Sequence, residues 1–319
     1  MRVTRISFVI LLALVWSSRA VAAGPLVYVA NERSNDVTII DAATNAVAGT
    51  IAVGQRPRGI TVSPDGRILY VALGGERAVG VVDLASRTVV ARLPAGSDPE
   101  AFAVSPDGAR LYVSNEDAAT ITVIDTRNGQ IVGAVPVGAE PEGVSASPDG
   151  RLVYVAAESS HTISVIDTAA LKVIATIPVG RRPRDSAFAP DGARAYVSAE
   201  LGDTVSVIDV ARHAVTATIA IDHAGAKPKG VAVDARGQWV YVANGGTNEV
   251  AVIDAARSAV VRYIPVGKRP WGVALSADGS RLFTANGASD DVSVIDVESG
   301  KVVATVPVGT RPWGLAVGR

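Results

Sequence analysis

The stretch Leu111-Tyr112-Val113-Ser114-Asn115, followed after a short polar gap by Ile121-Thr122-Val123-Ile124-Asp125, decides how this 319-residue chain folds. Both runs are rich in Val, Ile, Tyr and Thr and are bounded by turn residues, the local signature of β-strands. A Tyr-Val or a variant of it recurs at Tyr28, Tyr70, Tyr112, Tyr154, Tyr196, Tyr241 and Phe283, at steps of 42, 42, 42, 42, 45 and 42 residues. An Asp closing a β-branched run keeps the same steps at Asp41, Asp83, Asp125, Asp167, Asp209, Asp254 and Asp296. Two independent markers agree on one period, and a fixed period of roughly 20 to 50 residues denotes a repeat architecture.

Each unit contains four short strands, which the second unit places at 59–63 (inner), 68–72, 79–82 and 88–93 (outer). Between the first two, Ser63-Pro64-Asp65-Gly66 and its copies at Ser105 and Ser147 supply turn chemistry, because Pro presets one torsion and Gly tolerates positive φ. About 42 residues per four-stranded unit matches a propeller blade, whereas a flat sheet of all the strands would be unreasonably wide. The middle strands are apolar on both faces, as sheets packed face to face require. Charged residues make up 19% of the chain and mean hydropathy is +0.30, yet charges and turns interrupt every apolar run, so a transmembrane reading fails. The expected fold is all-β: a seven-bladed β-propeller of four-stranded antiparallel blades. After an expected leader the chain begins on a second strand at 26–30 and finishes on an inner strand at 314–317, so these two are expected to pair and close the ring. The period breaks only at 221–229, where three extra residues enlarge one loop; loop drift and a functional insertion both remain open.

The chain opens with Arg2 and Arg5, an apolar run at 6–16, and small residues at Ala20, Ala22 and Ala23. This reads as a signal peptide over 1–22, cut after Ala22 or Ala23, leaving 23–319 as a single propeller. The apolar run is too short to span a bilayer, and no second candidate exists, so no membrane span is expected after processing. Removing Arg2, Arg5 and Arg19 from the 30 basic residues leaves 27 against 31 acidic ones. That mildly acidic balance argues against a nucleic-acid partner. The chain has no cysteine, which excludes disulfides, Cys-based zinc sites and Cys-x-x-Cys-His haem attachment. A soluble, monomeric, periplasmic protein is expected.

The recurring text of Leu111-Tyr112-Val113-Ser114-Asn115, Val292-Ser293-Val294-Ile295-Asp296, Val308-Gly309 and Ser147-Pro148-Asp149-Gly150 resembles the YVTN-type propeller repeat, a WD40-like architecture. Non-repeated details are similar to one subgroup, the propellers associated with pyrroloquinoline-quinone (PQQ)-dependent alcohol catabolism. They are Gln55-Arg56-Pro57-Arg58-Gly59, Asp98-Pro99-Glu100, Asn115-Glu116-Asp117, Pro141-Glu142-Gly143, Ser198-Ala199-Glu200-Leu201-Gly202 and Arg311-Pro312-Trp313-Gly314. The resemblance implies a periplasmic accessory whose partner is a quinoprotein dehydrogenase, a cytochrome or a component of an ABC transport system. It supplies no catalytic motif.

In a propeller the loops entering inner strands share one face, around the channel mouth, with the loops between second and third strands. The first set carries a Pro flanked by residues that differ between blades: Arg56 and Arg58, Asp98 and Glu100, Glu140 and Glu142, Arg182 and Arg184, Lys227 and Lys229, Arg269 and Trp271, Arg311 and Trp313. The second set adds Glu32, Glu116, Glu158 and Glu200. These residues form the candidate site: a basic sector beside an acidic one, with two tryptophans as flat contacts for a ring or an apolar anchor. The alternative is a rim of solvated charges, with the tryptophans packed between blades. The repeated aspartates are expected to organise turns, since seven equivalent positions cannot all be one site. His161, His213 and His223 fall in different blades, and the four glutamates lack the spacing of a calcium loop, so no metal, cofactor or catalytic residue is assigned. A binding or scaffold role fits best; a lactonase-type hydrolase and a redox-partner docking protein are the alternatives.

Overall fold

β-Branched runs separated by turn residues produce twenty-eight strands among the described residues 25–318, numbered β1 to β28 in chain order in a computed structural model. The expected leader over 1–22 and both cleavage positions lie outside the described residues. The second blade shows the plan: β4 (Pro57–Val62) is innermost, followed by β5 (Ile68–Leu73), β6 (Ala78–Asp83) and β7 (Thr88–Pro94), all antiparallel. Seven such sheets form, and the first has the order β28-β1-β2-β3. Here β1 (Leu26–Asn31), β2 (Asp36–Asp41) and β3 (Ala46–Ala52) take β28 (Pro312–Val317) as their innermost strand. Val27 pairs with Val317, Tyr28 with Ala316 and Val29 with Leu315, which closes the ring and leaves β1 with no open edge. Seven blades and closure by the C-terminal strand are therefore as the sequence predicts. Among the described residues no helix is long and apolar enough to cross a membrane.

The apolar residues lie between blades, because neighbouring residues of a middle strand point to opposite faces. Tyr112 packs toward the fourth blade against Val153 and Val155, whereas Leu111 and Val113 face the second blade with Tyr70 and Val81. The same division yields seven apolar clusters, one at each blade boundary. The cluster holding Phe283 and Val292 against Val27, Val29 and Ile40 joins the seventh blade to the first.

Near the axis the inner strands touch backbone to backbone. A Cβ on Gly230 would lie 2.6 Å from the Trp271 carbonyl oxygen, and one on Gly314 would lie 2.6 Å from that of Arg58. Glycine at this level is therefore a condition of close approach. The third and fifth blades depart from the rule with Ala101 and Asp185.

Inner strands begin at Pro57 and its equivalents, two residues before the expected start, because each opens with a β-bulge. Pairing shifts register between Pro57 and Ile60 in β4, and equivalent shifts occur at the other six inner strands. The bulge re-aims the residue after Pro toward the channel.

On the opposite face, Ser63 Oγ donates to Asp65 Oδ1 at 2.6 Å while Gly66 adopts φ 73°. Asp41 Oδ1 accepts from the amides of Ala43 and Thr44 at 2.8 and 3.0 Å, and Asp167 and Asp254 act in the same way. These repeated aspartates organise turns. The inserted loop is packed: the His223 ring stacks on Tyr263 at 3.9 Å, and Asp203 accepts from the amides of Gly225 and Lys227.

Deleting residues 311–319 removes β28 and is expected to give aggregated or protease-sensitive protein in limited proteolysis. A soluble truncation with unchanged melting temperature would contradict closure by this strand.

Candidate functional site at the channel mouth

The residue before each inner-strand Pro has positive φ, between 49° and 58°, at Arg56, Asp98, Glu140, Arg182, Lys227, Arg269 and Arg311. In five blades that residue's amide is held by the left-handed turn residue of the preceding blade: Asn35 for Arg56, His161 for Arg182, Asp203 for Lys227, Asn248 for Arg269 and Asp290 for Arg311. Asn, Asp and His tolerate this conformation and carry the acceptor, so one residue sets the turn and bridges the blades. Arg77 and Ala119 take the place of that acceptor residue before Asp98 and Glu140, and no such bond forms there.

From this frame the residues after Pro reach inward and pair across blade boundaries. Arg58 bridges Glu32 of the first blade at 2.8 Å and Glu100 of the third. Arg56 adds Asp98 at 2.6 Å, and Arg311 reaches Glu32 at 2.8 Å. Across the channel Arg184 contacts Glu142 at 2.7 Å, Glu158, and Glu200 at 3.4 Å, while Arg182 holds Glu158 at 2.7 Å and Lys229 holds Glu200 at 2.9 Å. Glu100 is 1% exposed, Lys229 2% and Arg184 8%, so the inner members are buried rather than solvated. Removing one member of such a network strands a charge and costs about 3–5 kcal/mol, against about 0–1 kcal/mol for a solvated surface pair.

Burial also moves proton affinities. Glu142 is pushed well above the usual carboxylate range by burial and by its hydrogen bond with Glu158, which outweigh the opposing charge of Arg184. Burial acts to raise Glu158 as well, but the hydrogen bond from Glu142 and the charges of Arg184 and Arg182 hold it low, so the proton of this pair resides on Glu142. Glu116 is raised to about 7 by burial and then by Glu100, Glu158 and Asp98. Asp185 is raised to about 6 by burial, against hydrogen bonds from the Val231 and Ser186 amides. Lys229 falls to about 8 through burial and the adjacent Arg184.

The mouth's apolar element lies on the seventh and first blades. Trp271 and Trp313 lie against each other at 5.7 Å between centroids, tilted by 35°. Lys229 Nζ lies 3.7 Å over the Trp271 ring, with the Arg269 and Arg184 guanidinium groups at 4.8 and 5.2 Å; Arg58 lies 6.0 Å from Trp313. Both tryptophans line a cavity of about 160 Å³ whose wall includes Glu142, Arg184, Asp185 and Lys229. The buried Nε1–H of Trp313 has no acceptor among the described residues, a deficit of about 1–3 kcal/mol unless one is supplied.

Of the residues expected at the mouth, fifteen join the ion-pair ring or the tryptophan cluster: Glu32, Arg56, Arg58, Asp98, Glu100, Glu142, Glu158, Arg182, Arg184, Glu200, Lys229, Arg269, Trp271, Arg311 and Trp313. Arg269 stacks on Trp271 and makes no ion pair among the described residues. Glu116 faces the acidic residues Asp98 and Glu100; one oxygen from each of these three lies within 4.8 Å of the others, the grouping here that could hold a cation. Glu140 and Lys227 sit on the exposed outer rim, Glu140 accepting from Ser159 Oγ at 2.5 Å. Sequence reasoning missed Asp185, whose signal was the one acidic residue at a position that is otherwise Gly or Ala.

The fold and site define a seven-bladed propeller with an internally neutralised channel mouth. The chain belongs to the YNCE-like beta-propeller family, which matches residues 26–194. The lactonase, 7-bladed beta-propeller family matches residues 167–309. No curated protein matches the chain. Among solved structures, it resembles the hydrazine synthase of Kuenenia stuttgartiensis, with a TM-score of 0.78 and 26% identity, over 89% of this chain and 99% of that one. A functionally unknown protein from Desulfotomaculum acetoxidans shares the fold, with a TM-score of 0.80 and 17% identity over 92% and 99% of the two chains. The dihydro-heme d1 dehydrogenase NirN, in complex with DHE, also shares it, at 0.66 and 22% over 88% of this chain and 63% of that one.

Arg184→Met is expected to lower the unfolding free energy in urea by about 3–5 kcal/mol, while Arg127→Ala, at an exposed pair with Asp125, leaves it essentially unchanged. Equal, small effects would contradict a buried network. Because Glu116 is raised from 4.5 to about 7, its proton stabilises the fold below pH 4.5, and that contribution is lost as pH climbs through 7. Glu116→Gln should therefore gain on the wild type by about 1–2 kcal/mol between pH 5 and pH 8, with chelator present throughout, after allowance for solvent screening. A pH-independent difference would refute the raised affinity.

Proposed function

We propose that this protein is an exported, non-catalytic binding propeller, working in the periplasm as an accessory to PQQ-dependent alcohol oxidation or an associated ABC transport system. The observation that carries the reading is the state of the channel mouth. Its acids and bases are engaged mainly with each other, and the tryptophan pair with the Arg269 guanidinium is left as a surface suited to recognition. Among the described residues no histidine hydrogen-bonds a serine or threonine hydroxyl, and the sequence has no cysteine, so the usual activated nucleophiles have no support here. The leader-like segment supports export. The non-repeated stretches around Arg56, Glu116, Glu200 and Trp313 support the catabolic association.

A lactonase-type hydrolase is the second reading, favoured by the family match over 167–309 and by Glu116, whose proton affinity near neutrality suits a general base. Docking of a redox partner is a third, supported by 26% identity with a chain of hydrazine synthase.

The test is affinity capture with tagged protein from periplasmic extract of the producing bacterium, beside a lactone-hydrolysis assay with and without chelator. The binding reading expects a quinoprotein dehydrogenase, cytochrome or solute-binding component to be retained by wild type and lost from a folded Trp271→Ala/Trp313→Ala variant. It also expects no lactone turnover. Chelator-sensitive turnover would favour the hydrolase, and retention unchanged in the variant would move the binding surface elsewhere.

A further inference from the structure

We infer that the seam between the sixth and seventh blades, on the face opposite the mouth, is a docking groove for an extended segment of a partner protein that presents an arginine beside a bulky apolar side chain. The groove shares no lining residue with the cavity at Trp271 and Trp313, so it is a second surface. Three observations carry it.

The first is a missing tie. In the third blade Arg110, opposite the repeated Asp125, donates across the seam to the Thr168 carbonyl of the fourth blade at 2.7 Å. In the fifth blade Arg194, opposite Asp209, reaches the Ala255 carbonyl of the sixth at 2.8 Å. The sixth blade has Trp239 at this position, opposite Asp254; it is 37% exposed and its indole makes no hydrogen bond among the described residues. Val297 stands where Thr168 and Ala255 stand, just after a repeated Asp, and no arginine reaches its carbonyl.

The second is an apolar pocket beside that tryptophan. One outer-strand position is Gly or Ala in six blades (Gly49, Ala91, Gly133, Ala175, Ala217 and Ala304) and Arg262 in the sixth. The Arg262 guanidinium extends over Gly300 of the seventh blade, where a Cβ would overlap it. Trp239, Val252, Ile264 and Ile295 wall a space of about 250 Å³ beside it. This pocket shares Trp239, Tyr241, Val297 and Glu298 with a cleft of about 670 Å³ beneath the seam, so the two are one continuous groove. A half-exposed tryptophan in such a groove is a favoured anchor for a partner's apolar side chain.

The third is charge. The cleft beneath the seam is lined by Asp234, Asp278, Asp296 and Glu298 against Arg236 alone. Arg281 takes Asp296, but Asp234 accepts only from the amides of Gln238 and Trp239. Asp278 accepts from the hydroxyls of Ser276 and Ser280, which hold it well below the usual carboxylate range and so keep it charged. Glu298 has no ion-pair partner among the described residues. A guanidinium from a partner meets these acids where Arg110 and Arg194 sit at their own seams. Arg262 lines only the outer pocket, which fixes the order: the cation lies beneath the seam and the apolar anchor toward the circumference.

The test is isothermal titration of purified mature protein with blocked peptides in which Arg and Phe are separated by one, two or three glycines. At least one spacing should bind saturably, with Kd of about 1 mM or tighter, and replacing its Arg by Glu or its Phe by Gly should weaken it about tenfold or more. Trp239→Arg, which restores the residue type of the third and fifth blades, should abolish binding with the fold retained. Trp239→Ala, an exposed truncation, should weaken it about tenfold and serves should the first variant not fold. Asp278→Asn/Glu298→Gln should weaken it several-fold, and Arg127→Gln should not change it. In nitrogen-15 spectra the Trp239 indole N–H should shift on titration, with those of Trp271 and Trp313 unmoved. No saturable binding by folded wild type, equal binding of the Glu-containing peptide, binding unchanged in the folded Trp239 variants, or shifts confined to Trp271 and Trp313 would each overturn the inference.

Discussion

Pairing of β28 with β1 is the contact on which the rest of the molecule depends. Each blade buries its two faces against its neighbours, so seven blades satisfy one another only when the last meets the first. Without β28, β1 would present a row of unpaired amides and carbonyls, and the cluster of Phe283, Val27 and Val29 would lose Leu315 from its wall. Local strand chemistry builds the blades. The ring is made by one long-range ladder, and the channel mouth exists only because of it.

Closure brings side chains from distant parts of the sequence to one rim, and low accessibility there converts charge into architecture. Arg58 and Arg184 each join carboxylates from two blades, so the same contacts that neutralise the mouth also tie adjacent sheets. A carboxyl at this rim has two ways of being accommodated, a guanidinium partner or a retained proton. Glu158 follows the first and Glu142, though it touches Arg184, also keeps its proton, whereas Glu116 faces other acids and its proton affinity rises toward neutrality. The tryptophan side differs, because cations outnumber acids there and indole faces substitute for part of the missing counter-charge.

Much of this was legible in the residues. The 42-residue period of Tyr and Asp markers establishes blade number, and the positions of 26–30 and 314–317 within that period establish closure, since both are consequences of register alone. The rim position of Arg58, Glu142 and Trp313 follows from the same register. Their pairing does not, because Glu32 and Arg58 belong to different blades and the distance between them depends on how far each bulge turns the strand. For that reason the inner strands start two residues earlier than their β-branched runs suggest. Asp185 was overlooked because its meaning lies in contrast with Gly59, Gly143 and Gly230 at equivalent positions, where close packing of backbones is visible only in three dimensions.

The most direct measurement of the central claim uses the absence of cysteine. Val29 and Leu315 are paired across β1 and β28, so a Val29→Cys/Leu315→Cys protein contains two thiols at the junction and no others. Directly opposed strand residues have Cβ atoms about 4.5–5.5 Å apart, within reach of a disulfide after slight adjustment. Peptide mapping of the oxidised monomer should recover the segments around residues 29 and 315 covalently joined, in protein that retains wild-type ring dimensions in solution scattering. Free thiols, or crosslinks found only between molecules, would contradict a ring closed by its own C-terminal strand.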